Sequence, residues 1–191
     1  ILQNIYQEDN HISSNKSEIL NNIVNENIYS NNFSSSIKEK YIDLFVDDKN
    51  NIIDNQKPIV FGVLEVPLIN LKQYITEGTQ EENLELGPGR YLSSSSPEDT
   101  SGNVAIAGHR TTFGGPFKDL NYLKVGDEII LTHNKKIYIY TIDQTHIVDS
   151  GYGEYILYNR GDNRITLTTC HPRYSAKQRL IVSGVLKTIE N

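Results

Sequence analysis

Thr166-Leu167-Thr168-Thr169-Cys170-His171-Pro172 holds the only cysteine of a 191-residue chain. With Ile165 before it, this β-branched and apolar run reads as a strand that ends at the thiol. Arg179 follows downstream and opens a second apolar run, Leu180-Ile181-Val182. Upstream, Val104-Ala105-Ile106-Ala107 has the texture of a buried strand and runs into Gly108-His109-Arg110. A thiol, an imidazole and a guanidinium thus each stand at a strand boundary. Together they can supply a nucleophile, an acid/base and an anion-stabilising group.

The segments around these runs are also strands and turns. Ile59 to Leu68 reads as a strand pair or a kinked strand broken near Pro67. Residues 76–103, rich in Gly, Ser, Pro and Glu, read as a long surface loop in which Gly87-Pro88-Gly89 is a turn. Pro116-Phe117-Lys118-Asp119-Leu120 suggests a short helical turn with Pro at its start. Glu128 to Leu131 and Ile137 to Ile142 flank His133-Asn134-Lys135-Lys136 and predict a hairpin, with Ile129 and Leu131 facing Ile137 and Ile139 by alternation. Strands at 164–169 and 179–186 close the chain. Many short strands, with helix confined to connections, predict a mainly β fold, a small barrel or sandwich.

Residues 1–57 differ in texture and read as a partly helical, Asn-rich extension before a domain over 58–191. Asn15-Lys16-Ser17-Glu18 and Ser36-Ile37-Lys38-Glu39 each resemble a capping box followed by apolar residues at helical spacing. Crowded Asn weakens both helices. A net charge of −6 with no basic stripe argues against a nucleic-acid partner. No apolar run is long enough to span a membrane. The chain begins at Ile1 and contains no methionine, which reads as a product lacking an N-terminal segment and is compatible with a removed membrane anchor. One cysteine and scattered histidines give no metal-ligand spacing, and no glycine-rich phosphate loop occurs, so neither metal nor cofactor is expected.

At the candidate site, an unassisted thiol with pKa near ~8.5 is only about 3% thiolate at neutral pH. A neighbouring imidazolium favours the charged form, so a nucleophilic cysteine is usually set beside a histidine. From spacing alone, Cys170 is equally readable as a small buried hydrophobe, His109 as a satisfied surface histidine and Arg179 as an exposed strand-edge residue. His109 stands where a strand opens into a Thr/Gly loop, a place that displays reactive groups. His133 in the hairpin turn, His146 in a polar strand and His11 in the extension are weaker candidates. His171 adjoins the thiol but points to the opposite face, and is expected to shape the start of the loop with Pro172. Arg179 can offer several N–H donors at once to an oxyanion if its strand lies beside that of Cys170. Arg110 should point away from His109 and is assigned no catalytic role.

Ala107-Gly108-His109-Arg110, Thr166-Leu167-Thr168-Thr169-Cys170 and Arg179-Leu180-Ile181-Val182, taken as a set, resemble the signatures of the sortase family over roughly Pro58 to Lys187. Thr111-Thr112-Phe113-Gly114-Gly115-Pro116-Phe117 after the histidine is similar too. The resemblance implies a closed eight-stranded antiparallel barrel on the outer face of a Gram-positive cytoplasmic membrane. It also implies a cysteine transpeptidase that cleaves an LPxTG-like sorting signal between Thr and Gly and joins the Thr carbonyl to an amine. By the same resemblance Cys170 forms the thioester, His109 moves the proton, and Arg179 steadies the oxyanion or holds the signal peptide. The implied partners are sorting-signal surface proteins and a peptidoglycan amine, with membrane attachment through a segment absent from this chain. Cys170-His171-Pro172-Arg173-Tyr174 looks most like the class D and class E groups. A pilin-polymerising sortase using a pilin lysine is the alternative within the family, although the Asp-Pro-aromatic lid motif of that class is missing from the extension. A non-catalytic barrel that only binds is the alternative outside it. Glu77, Glu81, Glu82 and Glu85 read as a solvated acidic loop rather than a calcium site of the kind some class A sortases carry.

Overall fold

The computed structural model describes residues 59–151 and 154–191. The expected extension over 1–57, with both capping boxes and His11, lies outside the described residues. Alternation of apolar and polar residues produces β1 (Val60–Val66), β2 (Leu71–Glu77), β4 (Gly102–Ala107), β5 (Glu128–His133), β6 (Lys136–Asp149), β7 (Asn163–His171) and β8 (Gln178–Glu190). With the two-residue β3 (Gly89–Arg90) they close into a barrel in the order β1-β2-β3-β4-β7-β8-β6-β5. Helix occurs in the connections as α1 (Glu81–Leu86), α2 (Glu154–Leu157) and 3-10 turns at Pro67–Ile69 and Leu120–Tyr122.

The barrel is mixed rather than wholly antiparallel. β2–β3 and β4–β7 pair in parallel, and the others antiparallel. The chain between β4 and β7 includes the whole β5–β6 hairpin, a crossover long enough for a parallel return.

One face of β4, β7 and β8 points inward, where Val104, Ile106, Ile165, Leu167, Leu180 and Val182 join the main core. The opposite face of these strands is buried as well. Asn103, Ala105, Arg164, Thr166, Thr168, Ile181 and Ser183 are all shielded from solvent. Part of the cover is α2, whose Ile156 packs on Ala105 and Ile181. Asn103 Nδ2 donates to the carbonyls of Ile156 at 2.8 Å and Tyr158 at 3.3 Å, tying this connection to β4.

Three further expectations need correction. In the β5–β6 hairpin, Asn134 and Lys135 both have positive φ (47° and 67°), so a two-residue connection joins His133 to Lys136. Leu131 therefore faces Tyr138 and Ile129 faces Tyr140. The tyrosines, not Ile137 and Ile139, fill the interior. Residues 76–103 are also not one loop: they hold α1 and β3, with Thr76 N–H donating to Pro88 O and Gly78 N–H to Arg90 O. A strand of two residues carries no periodicity by which to read it. The helical turn near Pro116 forms slightly later, at Leu120–Tyr122.

Arg164, 3% exposed, anchors the end of β7 remote from the thiol. It donates to both oxygens of Asp162 at 2.8 Å, to Asp143 at 3.2 Å and to Ser183 Oγ at 2.8 Å. The hydrogen bond from Arg164 is the main reason the Asp162 carboxyl titrates below its usual 3.8. A carboxyl lowered in this way adds stability above its unfolded pKa and loses it as pH falls through the folded value. Asp162→Asn should therefore flatten the acid limb of stability below about pH 4. At neutral pH it should cost about 1–2 kcal/mol. Urea melts across the acid range, compared with wild type, check both effects.

Candidate active site

Cys170 and Arg179 are direct cross-strand partners in the antiparallel β7–β8 pair. Their side chains therefore leave the same face of the sheet. β4 flanks β7 on its other side, with Ala107 level with Thr168. Gly108 N–H donates to Thr168 O at 3.1 Å and carries this parallel register past the end of β4. Continued two steps beyond Ala107, that register would bring His109 level with Cys170. The thiol thus stands on the middle strand, with an imidazole on one flank and a guanidinium on the other. All three side chains are half-buried.

The backbone around His109 is pinned. Thr169 Oγ1 donates to Gly108 O at 2.7 Å, and Phe117 N–H donates to His109 O at 3.0 Å. A Cβ at Gly108 would fall 2.7 to 2.9 Å from three atoms of the fully buried Phe117 ring, so only glycine fits. The imidazole packs against Phe113 with centroids 5.0 Å apart. Its Nε2 is buried and has no hydrogen-bond partner among the described residues. A buried orphan nitrogen beside a thiol is free to exchange a proton with a bound reactant.

Arg179 is held by its Nη1, which donates to Ala176 O at 2.8 Å and Gln178 O at 3.0 Å. The rest of its fork makes no hydrogen bond among the described residues, leaving donors for an oxyanion or a carbonyl.

Two residues that the sequence reading did not assign complete the site. Tyr91, just after β3, donates its N–H to Ala105 O at 2.9 Å and packs beside Ala105, Ile156 and Ile181. Burial raises its phenol pKa, the Arg179 charge opposes this, and Cys170 reinforces it, so the ring is within electrostatic reach of both. It sits inside the stretch read as loop and gives no local signal. Arg110, 5% exposed, lies behind Cys170. Its Nη1 donates to Cys170 O at 3.2 Å and to His171 Nδ1 at 2.8 Å, and its Nη2 to Asn121 Oδ1 at 2.9 Å. Alternation does turn it away from the His109 side, yet this brings it to the backbone of Cys170. A charged residue so soon after a wholly buried strand is the signal that could have revealed it.

The remaining histidines have other partners. His133 Nδ1 meets Phe61 O at 2.7 Å and its ring stacks on Phe61, while His146 Nε2 meets Gln144 Oε1 at 2.9 Å. Both oxygens of Glu77 accept from Arg90, at 2.8 and 3.1 Å. Among the described residues no group of three or more His, Cys, Asp and Glu could hold a metal ion, and no helix is long and apolar enough to cross a membrane.

Gly108→Ala should cost about 1–3 kcal/mol, because the Phe117 ring cannot yield without disturbing the core. Gly151→Ala, which meets nothing within 4 Å, should stay within about 0.5 kcal/mol of wild type. Equal midpoints for the two variants in urea would contradict the close fit at Gly108.

Comparison with known proteins agrees with this geometry. The sequence profile of the Sortase domain matches residues 64–187. Sortase D of Bacillus subtilis (strain 168) is 36% identical over 126 residues, covering 64% of this chain and 62% of that protein. Sortase SrtE1 of Streptomyces coelicolor is 33% identical over 138 residues, covering 65% of this chain and 39% of that protein. The chain thus spans less than two thirds of either relative. The crystal structure of sortase E1 from Streptomyces coelicolor with a tripeptide in the active site has a TM-score of 0.65 at 26% identity, covering 69% of this chain and 90% of that one.

Proposed function

Because this chain belongs to the sortase family, we propose that it is a cysteine transpeptidase with Cys170 as nucleophile, His109 as acid/base and Arg179 as oxyanion or signal-peptide clamp. One observation carries the reading: Cys170 faces Arg179 directly across β7–β8, while β4, which leads into His109, pairs with the other side of β7 up to Ala107 and Thr168. The substrate is an LPxTG-like sorting signal cut between Thr and Gly, and the acceptor is a peptidoglycan amine. Residues 58–191 form the catalytic domain and 1–57 an extension. The enzyme works on the cell-wall side of the cytoplasmic membrane of a Gram-positive bacterium.

In the first step the Cys170 sulfur attacks the Thr carbonyl carbon, and the carbonyl oxygen takes up the negative charge. The unassigned donors of Arg179 stabilise that charge at no cost of reorganisation, since the guanidinium is already held by two backbone carbonyls. As the C–N bond breaks, His109 gives a proton to the leaving Gly nitrogen and a thioester remains. In the second step His109 takes a proton from the incoming amine, the new amide forms, and the thiol is released. Energy of the first amide is retained in the thioester, so no nucleotide is consumed.

The outward face beside the thiol suits an extended peptide. Ala107 gives it a small apolar position beyond the part covered by Ile156, and Thr168 Oγ1 is buried there without a partner among the described residues. That hydroxyl can bond a polar backbone group of a bound strand. The tripeptide in the active site of the Streptomyces coelicolor neighbour supports a peptide as the occupant.

Incubation with LPxTG-type peptides, with and without an amine acceptor, tests the reading. Cys170→Ala should abolish cleavage and the thioester adduct seen by mass spectrometry. His109→Ala should lower kcat by about 10²–10⁴-fold. Arg179→Ala should lower it by about 10²–10³-fold. Cleavage that survives Cys170→Ala would sink the nucleophile assignment, and failure with every sorting-type peptide would favour a non-catalytic binding barrel.

A further inference from the structure

Arg110 is covalently next to His109 and hydrogen-bonded to the carbonyl of Cys170. Its fork spans the exits of two strands. On one side it follows β4; on the other it grips Cys170 O and His171 Nδ1 where β7 ends, and Asn121 Oδ1 braces it from the 3-10 turn. It is nearly inaccessible, and among the described residues no carboxylate forms an ion pair with it. Its Nε has no partner either. Burying an unneutralised guanidinium is expensive, and an apolar side chain of similar volume would fill this position more favourably. Stability therefore does not account for it.

We propose that Arg110 is a positioning residue for the transpeptidation reaction: it locks the backbone of the nucleophile to that of the acid/base. The inference rests on Cys170 being the nucleophile. Burial lowers the Arg110 pKa, Arg173 lowers it further, and Cys170 opposes them, which is the electrostatic coupling that the geometry implies. Arg179 on β8 faces Cys170 directly, Tyr91 after β3 is within electrostatic reach of it, and His171 at the end of β7 shares the Arg110 fork. Donation by Arg110 also makes His171 Nδ1 an acceptor, leaving the proton of the neutral ring on Nε2.

The test separates turnover from folding. Arg110→Met should keep a cooperative thermal melt, since an apolar side chain of similar volume can fill the site of a buried charge. Its kcat on an LPxTG-type peptide should fall about 10- to 100-fold, with KM within about threefold. Arg110→Lys keeps the charge without the fork, and its kcat should stay about tenfold low. Asn121→Ala, at an exposed position, should lower kcat about threefold with unchanged melting. Wild-type kcat in folded Arg110→Met overturns the inference, as does a loss carried by KM alone. If that variant does not fold, wild-type kcat in Asn121→Ala overturns it instead. Cleavage surviving in Cys170→Ala would instead refute the nucleophile, whereas loss in Cys170→Ala with wild-type kcat in the Arg110 variants refutes only the positioning role.

Discussion

The register of β7 between its two neighbours is the constraint on which both barrel and site depend. β7 pairs in parallel with β4 and antiparallel with β8, and its side chains alternate between two buried faces. Ile165 and Leu167 enter the core, while Arg164, Thr166, Thr168 and Cys170 form a row on the other side. A slip of one residue would exchange the two sets, putting a guanidinium in the barrel and isoleucine in its place. The cost of that exchange keeps Cys170 opposite Arg179.

Along the polar row, satisfaction of hydrogen bonds falls from one end to the other. At the Arg164 end Asp162, Asp143, Ser183, Thr166 and Asn103 form a connected network. Toward the thiol, Thr168 Oγ1, His109 Nε2 and Arg110 Nε are all buried without partners. They are three of the five such atoms among the described residues; the others are Thr76 Oγ1 and, at the Arg164 end, Asp143 Oδ1. Polar groups left unpaired cost stability, and a folded chain tolerates them where a reactant will use them.

Charge shows a similar contrast between whole and part. The chain carries a net −6, yet Arg179 faces the thiol across the sheet and Arg110 bonds its carbonyl, with Arg173 in turn near Arg110. Arg173 is held by Lys118 O and Asp119. A local cationic field favours a thiolate and an oxyanion, whatever the sign of the surface as a whole.

Much of this was legible in the chain. Ile165, Leu167 and Ile181 announced strands, and Cys170, His109 and Arg179 stood at strand boundaries where reactive groups can be displayed. The sortase resemblance added an eight-stranded barrel, though not the parallel pairing of β4 with β7. Tyr138 and Tyr140 were misplaced by one residue because hairpin register depends on the backbone angles of Asn134 and Lys135. Tyr91 had no local signal of its role, and Arg110 only the hint of a charge set directly after a buried strand. By itself, then, the sequence determined which chemical groups exist and on which face of a strand each must emerge, since alternation is a local property of extended backbone. Only the tertiary structure decided that β7 lies between β4 and β8, and hence what faces Cys170 across the sheet and what grips it from behind. Pairing joins residues distant along the chain, and no local pattern encodes a partner.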